Sequence, residues 1–266
     1  MRGEKEKLLA TSIGDPKPGA TVNVKGRIHI GTSGWHYDHW RGPFYPANLR
    51  QADYLHFYRQ KFLTVEVNNS FYRLPTEKAL LAWREAVPPD FIFAVKGSRY
   101  ITHLKKLTDP EQSVALFLER VSLLGDKLGP ILFQLPPRWR FQADRLKKFL
   151  EVLPKNHRYA LELRDPSWLN EEACRLLKRY GAAFCIYELA GRISPHEVTA
   201  DFVYIRLHGP GGAYQGSYDR ETLAGWAQEI DAWATQGQEV FCYFDNDEAG
   251  YAAQNALELQ DLLADG

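Results

Sequence analysis

Short runs of β-branched and aromatic residues alternate along this chain with longer stretches whose apolar positions recur every three to four residues. That alternation is the pattern of βα units around a parallel sheet. Eight runs predict strands: Ile28 to Gly34, Thr64 to Asn69, Phe91 to Gly97, Pro130 to Pro136, Tyr159 to Arg164, Ala183 to Glu188, Phe202 to Gly209 and Val240 to Asn246. Helical spacing predicts helices over Ala52 to Phe62, Glu77 to Val87, Glu111 to Leu124, Ala143 to Leu153, Glu171 to Tyr180, Arg220 to Thr235 and Tyr251 to Leu263. Thr76 before Glu77, Asp109-Pro110 before Glu111 and Asp219 before Arg220 read as helix starts, and Gly181 and Gly237 as stops. The sixth unit breaks the rhythm, because Leu189 to Ala200 holds only a short, proline-interrupted segment where a helix is expected. The sum is an α/β fold, a single (β/α)8 TIM-type barrel with an irregular sixth βα unit, with a doubly wound open sheet as the alternative.

In a barrel, one face of each strand meets the helices and the other fills the interior, so the pleat assigns each residue a side. Val65, Val67, Ile131, Phe133, Leu135, Leu161, Leu163, Val203, Ile205 and Leu207 then face the helices. Facing inward are Glu66 and Asn68, Lys96, Leu132 and Gln134, Ala160, Glu162 and Arg164, Tyr204, Arg206 and His208, and Tyr243 and Asp245. On each strand the inward residue turns polar toward the C-terminal end, where active sites of this fold are built. One reading pairs Glu66, Glu162 and Asp245 with Lys96, Arg164 and Arg206 as a closed ionic core. The other makes the ring a solvated functional pocket, since buried ion pairs often stabilise no more than apolar packing.

Length and composition set limits on this picture. The 266 residues suit one barrel domain, expected over 28–266, after a loosely ordered leader at 1–27 rich in Lys, Gly, Pro and Glu. With 33 basic and 33 acidic residues the formal charge is zero, so no global field draws the chain to nucleic acid or anionic lipid, and any anion site is local. No apolar run is long enough to span a bilayer, and Cys174, Cys185 and Cys242 are odd in number and widely spaced. Together these predict a cytoplasmic protein with reduced, structural thiols and no membrane partner.

The loops after the strands carry the remaining candidates. Trp35 and Tyr37 follow the first strand, Tyr72 the second and Trp168 the fifth, either stacking on a substrate or packing as a lid. The run His208 to Tyr218 is glycine-rich, and Asn246 and Gly250 lead into the last helix; both offer backbone amides to an anion, with Gly211 and Gly250 as expected contacts. The catalytic candidates are Glu66, Glu162 and His208 for acid–base work, Lys96 to stabilise developing negative charge, and Asp245. Arg164, Arg206 and Arg99 are expected to hold the anion, with Asn68, Gln134 and Tyr243 completing the substrate contacts. No HxH or HExxH spacing, Ser-His-Asp triad or dinucleotide fingerprint stands out, so neither metal nor cofactor is expected.

Several motifs occur together: GTSGW at Gly31, FYP at Phe44, EVNNSFY at Glu66, FAVKGSRYITH at Phe93, LFQLPP at Leu132, ELRDPSW at Glu162, RLHG at Arg206, and YFDND followed by GYAAQNA from Tyr243. In this order, over residues 28 to 262, they resemble the YecE-like family, domain of unknown function 72. The resemblance implies a TIM-type barrel and supplies no reaction. The family barrel has been likened to that of endonuclease IV, which implies DNA binding, yet the histidine-rich metal cluster of that enzyme has no counterpart here. Three functions follow as expectations. The first is a hydrolase or lyase acting on a small anionic or phosphorylated substrate, glycoside hydrolysis included. The second is a nucleic-acid protein with Arg99, Lys105, Lys106 and Arg138 tracking a backbone, and the third a ligand-binding module without turnover. Oligomeric state is not legible.

Overall fold

The computed structural model describes residues 24–265. Most of the expected leader therefore lies outside the described residues. Of its end, Gly26 donates its amide to the Ala234 carbonyl at 2.8 Å, and the Arg27 carbonyl accepts from the Val240 amide at 2.8 Å.

The strands are β1 (Ile28–Thr32), β2 (Thr64–Val67), β3 (Ile92–Lys96), β4 (Leu128–Gln134), β5 (Tyr159–Glu162), β6 (Ala183–Leu189), β7 (Arg192–Ile193), β8 (Phe202–Leu207) and β9 (Glu239–Phe244). Their order is β1-β9-β8-β6-β5-β4-β3-β2, every neighbour in it parallel, with β7 folded back antiparallel on β6. The sheet curls almost into a closed barrel. Between β1 and β2 the ladder shrinks to a single bridge, Ser33 to Glu66, where the Gly34 amide donates to the Glu66 carbonyl at 2.8 Å. That bridge decides against the open sheet.

Seven α-helices of the described residues surround the barrel: α1 (Tyr54–Tyr58), α2 (Glu77–Ala86), α3 (Glu111–Val121), α4 (Ala143–Val152), α5 (Glu171–Tyr180), α6 (Arg220–Thr235) and α7 (Tyr251–Ala264). Thr76 caps α2 and Asp219 caps α6 by accepting backbone amides at 3.2 and 2.8 Å, and Asn170 caps α5 in the same way at 3.0 Å. Asp109 does not act as the expected start. Its φ is +41°, and α3 begins after Pro110 without a side-chain cap. In the sixth unit the hairpin of β6 and β7 and an irregular stretch replace the helix. No helix among the described residues is long and apolar enough to cross a membrane.

The pleat divides the core in two. Val65, Val67, Val95, Ile131, Phe133, Leu161, Val203 and Ile205 pack outward with the helices. Inside, Ala94, Ala160 and Ala183 from β3, β5 and β6 face bulky Tyr204, Phe241 and Tyr243 from β8 and β9. Small residues on one side and rings on the other fill the barrel like interlocking layers. At the β1–β2 seam, Gly31 permits a close approach, since a Cβ there would lie 2.4 Å from the Thr64 carbonyl oxygen. Tyr58 from α1 then splints the gap: its hydroxyl accepts from the Thr32 amide at 3.0 Å and donates to the Thr64 carbonyl at 3.1 Å.

Candidate functional site

Above the ring layer, the inward polar residues converge on Arg206, which is wholly buried. Its guanidinium donates to Glu66 at 2.7 and 3.2 Å, to Glu162 at 2.7 Å, to Asp245 at 2.9 Å and to Ser33 Oγ at 2.9 Å. Four strand ends thereby meet on one side chain. Glu66 also accepts from the Tyr204 hydroxyl at 2.7 Å and from Ser33, whose oxygen in turn accepts from Asn68 Nδ2 at 2.6 Å. Glu162 takes Arg164 Nε at 2.5 Å as well. His208 joins the same group, with Nδ1 3.0 Å from Asp245 and Nε2 3.2 Å from Arg206 and 3.4 Å from Arg164. Glu162 Oε1 also lies 3.3 Å from Nε2, so each ring nitrogen has a carboxylate beside it.

Glu66, Glu162, Arg206 and His208 have no exposed surface, so their shared centre is a closed ionic network and not the solvated pocket expected from the charge count. Burial pushes the Glu162 carboxyl up, but Arg164, Arg206 and His208 outweigh it and hold the group well below its ordinary range. At Asp245 burial likewise raises, while Arg206, His208 and Lys96 bring the carboxyl to about 2. These two carboxylates are fixed anions at neutral pH. The same contacts bear on the glycosidase expectation: Glu66 and Glu162 share one guanidinium, which fills the space between them.

The mouth differs from the centre. Lys96, 7% exposed at the end of β3, makes no side-chain hydrogen bond or ion pair to any described residue; its ammonium lies 4.7 Å from the centroid of the Phe71 ring. Burial, then the Arg206 charge, lowers it to about 8, against the opposing pull of Asp245, Glu162 and Glu66. Gln134, 5% exposed at the end of β4, has no side-chain partner among the described residues, and neither has the buried Asn68 Oδ1 at the end of β2. Unused polar atoms thus gather on the β2–β4 side. Beyond Lys96 the chain makes a π-helical turn over Tyr100–Leu104, an unusual element that recurs at functional sites. It presents His103, lowered to about 4 by burial and by the Lys96, Arg99 and Arg164 charges, edge-on to Phe71 at 5.0 Å.

Opposite, the loop after β8 covers the network. Tyr214 accepts from Arg164 Nη1 at 3.0 Å and sets its ring edge-on to His208 at 5.4 Å. It holds a left-handed backbone, φ +66°. The loop is not the open anion cradle that its glycines predict. The Gly209 amide donates to the Tyr218 hydroxyl, Tyr214 to the His208 carbonyl, Gln215 to Gly212 and Gly216 to Glu248. Gly209 is glycine for conformation, with φ +111° and a Cβ position 2.3 Å from the Gln215 carbonyl.

The other expected residues separate into three groups. Tyr37 stands half-buried at the mouth, its hydroxyl donating to the Ser33 carbonyl at 2.7 Å, while Arg99, Tyr72 and Gly211 are exposed on the surrounding loops. Trp35 and Trp168 are buried in the outer core, Trp35 against Trp83 and Trp168 bonded to the Trp139 carbonyl, and so reach no ligand at the mouth. Tyr243 lies below the charges, hydrogen-bonded to Thr64 at 2.7 Å. Asn246 ties the loop to α7 through Gly216 and Asn255, and Gly250 is packed against Pro43, so the start of α7 is occupied by protein. Ser33, Tyr204, His103 and Tyr214 were not singled out by pattern. Ser33 sits inside GTSGW and Tyr204 shares the inward parity of Arg206, so for these two the signal was present.

Among the described residues no group of His, Cys, Asp and Glu is placed to hold a metal ion, and the three cysteines are free. A family profile described as "Protein of unknown function DUF72" matches residues 29–266. The chain is 32% identical to the UPF0759 protein YecE of Escherichia coli strain K12 over 145 residues, 53% of this chain, and spans half the length of that relative. It is 26% identical to the UPF0759 protein YunF of Bacillus subtilis, over 89% of this chain and 94% of the other. The crystal structure of a DUF72 family protein from Thermotoga maritima superposes with a TM-score of 0.82 at 27% identity, covering 90% of this chain and 99% of the other. With the barrel and these likenesses in agreement, the chain belongs to the DUF72 family of TIM-barrel proteins.

Proposed function

We propose that this protein is an enzyme acting on a small anionic substrate, which enters the C-terminal barrel mouth and meets Lys96, Gln134, Asn68 and Arg164. The observation that carries the reading is the lysine. A buried ammonium that no carboxylate accompanies is costly, and its natural complement is a group that arrives from outside. Arg164 supplies a second cation, whose Nη1 can exchange the neutral Tyr214 hydroxyl for a carboxylate or phosphate oxygen. Size follows from burial: Lys96 and Gln134 are almost enclosed, so a polymer backbone would touch only the rim, and a small molecule is the better match. The deeper carboxylates keep Arg206 in place and give the site its field; Glu162 and Asp245 among them are poor general acids because they are held ionised.

Thermal unfolding against a panel of small carboxylates and phosphate monoesters tests this reading. A member at a hundredfold excess over its Kd is expected to add about 2.7 kcal/mol to wild-type stability, with no gain for Lys96→Met and a reduced one for Arg164→Gln. Equal stabilisation of wild type and Lys96→Met would overturn it.

A further inference from the structure

We propose that Lys96 forms an imine with the carbonyl carbon of a small 2-oxo acid, so that this barrel performs lyase-type chemistry through a covalent lysine adduct. The inference rests on the anion-binding reading above and adds the substrate class and the bond.

The placement of the side chain suits an attacking amine. Lys96 projects from the C-terminal end of β3, its carbonyl is pinned by the Ser70 hydroxyl at 2.6 Å, and Phe71 forms an apolar wall beside the nitrogen. No described carboxylate lies within ion-pairing distance to hold the proton on it; burial and the Arg206 cation discourage that proton, and outweigh the more distant Asp245, Glu162 and Glu66, which favour it. A desolvated lysine next to a second cation is the environment in which an amine becomes nucleophilic near neutral pH. The lowering to about 8 agrees with this geometry. Arg164, bonded through Nε to Glu162, can turn Nη1 toward a substrate carboxylate adjacent to the carbonyl under attack.

The chemistry balances without a further reagent. The neutral amine nitrogen adds to the carbonyl carbon, and one nitrogen proton moves to the resulting alkoxide, giving a carbinolamine. Its hydroxyl leaves as water with a proton taken up at the mouth, so lysine plus carbonyl gives a protonated imine plus water. In a 4-hydroxy-2-oxo acid the bond between C3 and C4 then breaks: its electron pair passes to the C=N⁺ bond to leave an enamine, the 4-hydroxyl proton goes to water, and C4 departs as an aldehyde. The enamine takes a proton back at C3, and water adds to the iminium carbon, releasing the shorter 2-oxo acid and restoring Lys96.

Reductive trapping decides the matter. The full chain is mixed separately with glyoxylate, pyruvate and 2-oxoglutarate and reduced with cyanoborohydride, and the adduct is located by peptide mass spectrometry. At pH 8 a lysine lowered to about 8 holds about a hundredfold more neutral amine than an ordinary one near 10.4. Lys96 is therefore expected to be labelled roughly tenfold or more faster than any exposed lysine, with a rate rising through pH 8, and Lys96→Met and Lys96→Arg to lose the fast phase. Lactate, which keeps the carboxylate and lacks the carbonyl, is expected to slow the labelling. Labelling of Lys96 no faster than of surface lysines by all three acids would overturn the imine. If lactate still shields Lys96 from an amine reagent such as trinitrobenzenesulfonate in that case, the anion site survives; if it does not, both proposals fall.

Discussion

The two ends of the barrel each set an arginine among carboxylate, histidine and rings, and they do so to opposite effect. At the N-terminal end Arg158 lies over the Phe241 ring at 4.8 Å and over Phe202 at 5.5 Å, and pairs with Glu239 at 2.5 Å. Glu239 also meets His29 at 2.7 Å, and His29 stacks on Phe241 at 4.6 Å. Burial raises the Glu239 carboxyl, but His29 and Arg158 win and hold it at about 2. Every charge there has its partner, and the cluster closes the floor. At the mouth three carboxylates serve Arg206 and Arg164, and Lys96 is left outside the pairing. The contrast teaches that an ion cluster in a barrel signals function by its unmatched member and not by its size.

The sharpest way to break the comparison is to remove the hub. Arg206→Met leaves Glu66, Glu162 and Asp245 buried without their common donor, and is expected to cost about 3 to 5 kcal/mol in chemical denaturation. A loss under about 1 kcal/mol would mean that water already reaches these groups.

Lys96 gives the next effect, with the opposite sign. Its folded-state pKa, about 8, lies below the ordinary value near 10.4, so the unfolded chain binds the extra proton between those limits and stability rises with pH across that window. Below pH 8 the charged lysine opposes folding in full. Lys96→Met is therefore expected to be more stable than wild type at pH 7, by about 2 to 3 kcal/mol, the advantage fading toward pH 10. Denaturant titrations of both proteins at pH 7 and pH 10 check it; a constant difference would mean that the ammonium is solvated.

Tyr58→Phe is expected to cost about 1 to 2 kcal/mol, because it strips the Thr32 amide and Thr64 carbonyl of a shared buried partner. Faster hydrogen exchange at the Thr32 amide would place the loss at the seam. Glu239→Gln at the floor is expected to cost least, about 1 kcal/mol, since Arg158 and His29 keep some access to water. A loss as large as that of Arg206→Met would erase the distinction between the two ends.

Much of this was readable in the chain, for a simple reason. The pleat is strictly two-periodic, so once Ile131 and Phe133 are assigned to the helices, Leu132 and Gln134 must point inward, and the same step places Glu162, Arg206 and Asp245. Parity says which way a side chain points and nothing about how far it travels. It could not tell that Arg206 reaches four neighbours while Lys96 reaches none, because those are distances between strands remote in sequence. The loop aromatics failed for a related reason: Trp35 and Trp168 follow strand ends, yet each folds back into the outer core. The glycines after β8 read as an anion cradle because flexibility is visible in a sequence, whereas the acceptors that consume the amides, the Tyr218 hydroxyl and Glu248, come from elsewhere in the fold. The hairpin of β6 and β7 was legible only as a missing helix.

The nearly open seam gives the barrel the mechanics of a split ring. Seven junctions are ladders of two to six residue pairs; the eighth is one bridge and one phenol, and Glu66 stands at that bridge with its carboxylate clasped to the hub. Widening the slit draws Glu66 away from Arg206, so hoop tension in the wall and the electric field at the mouth are tied to one residue.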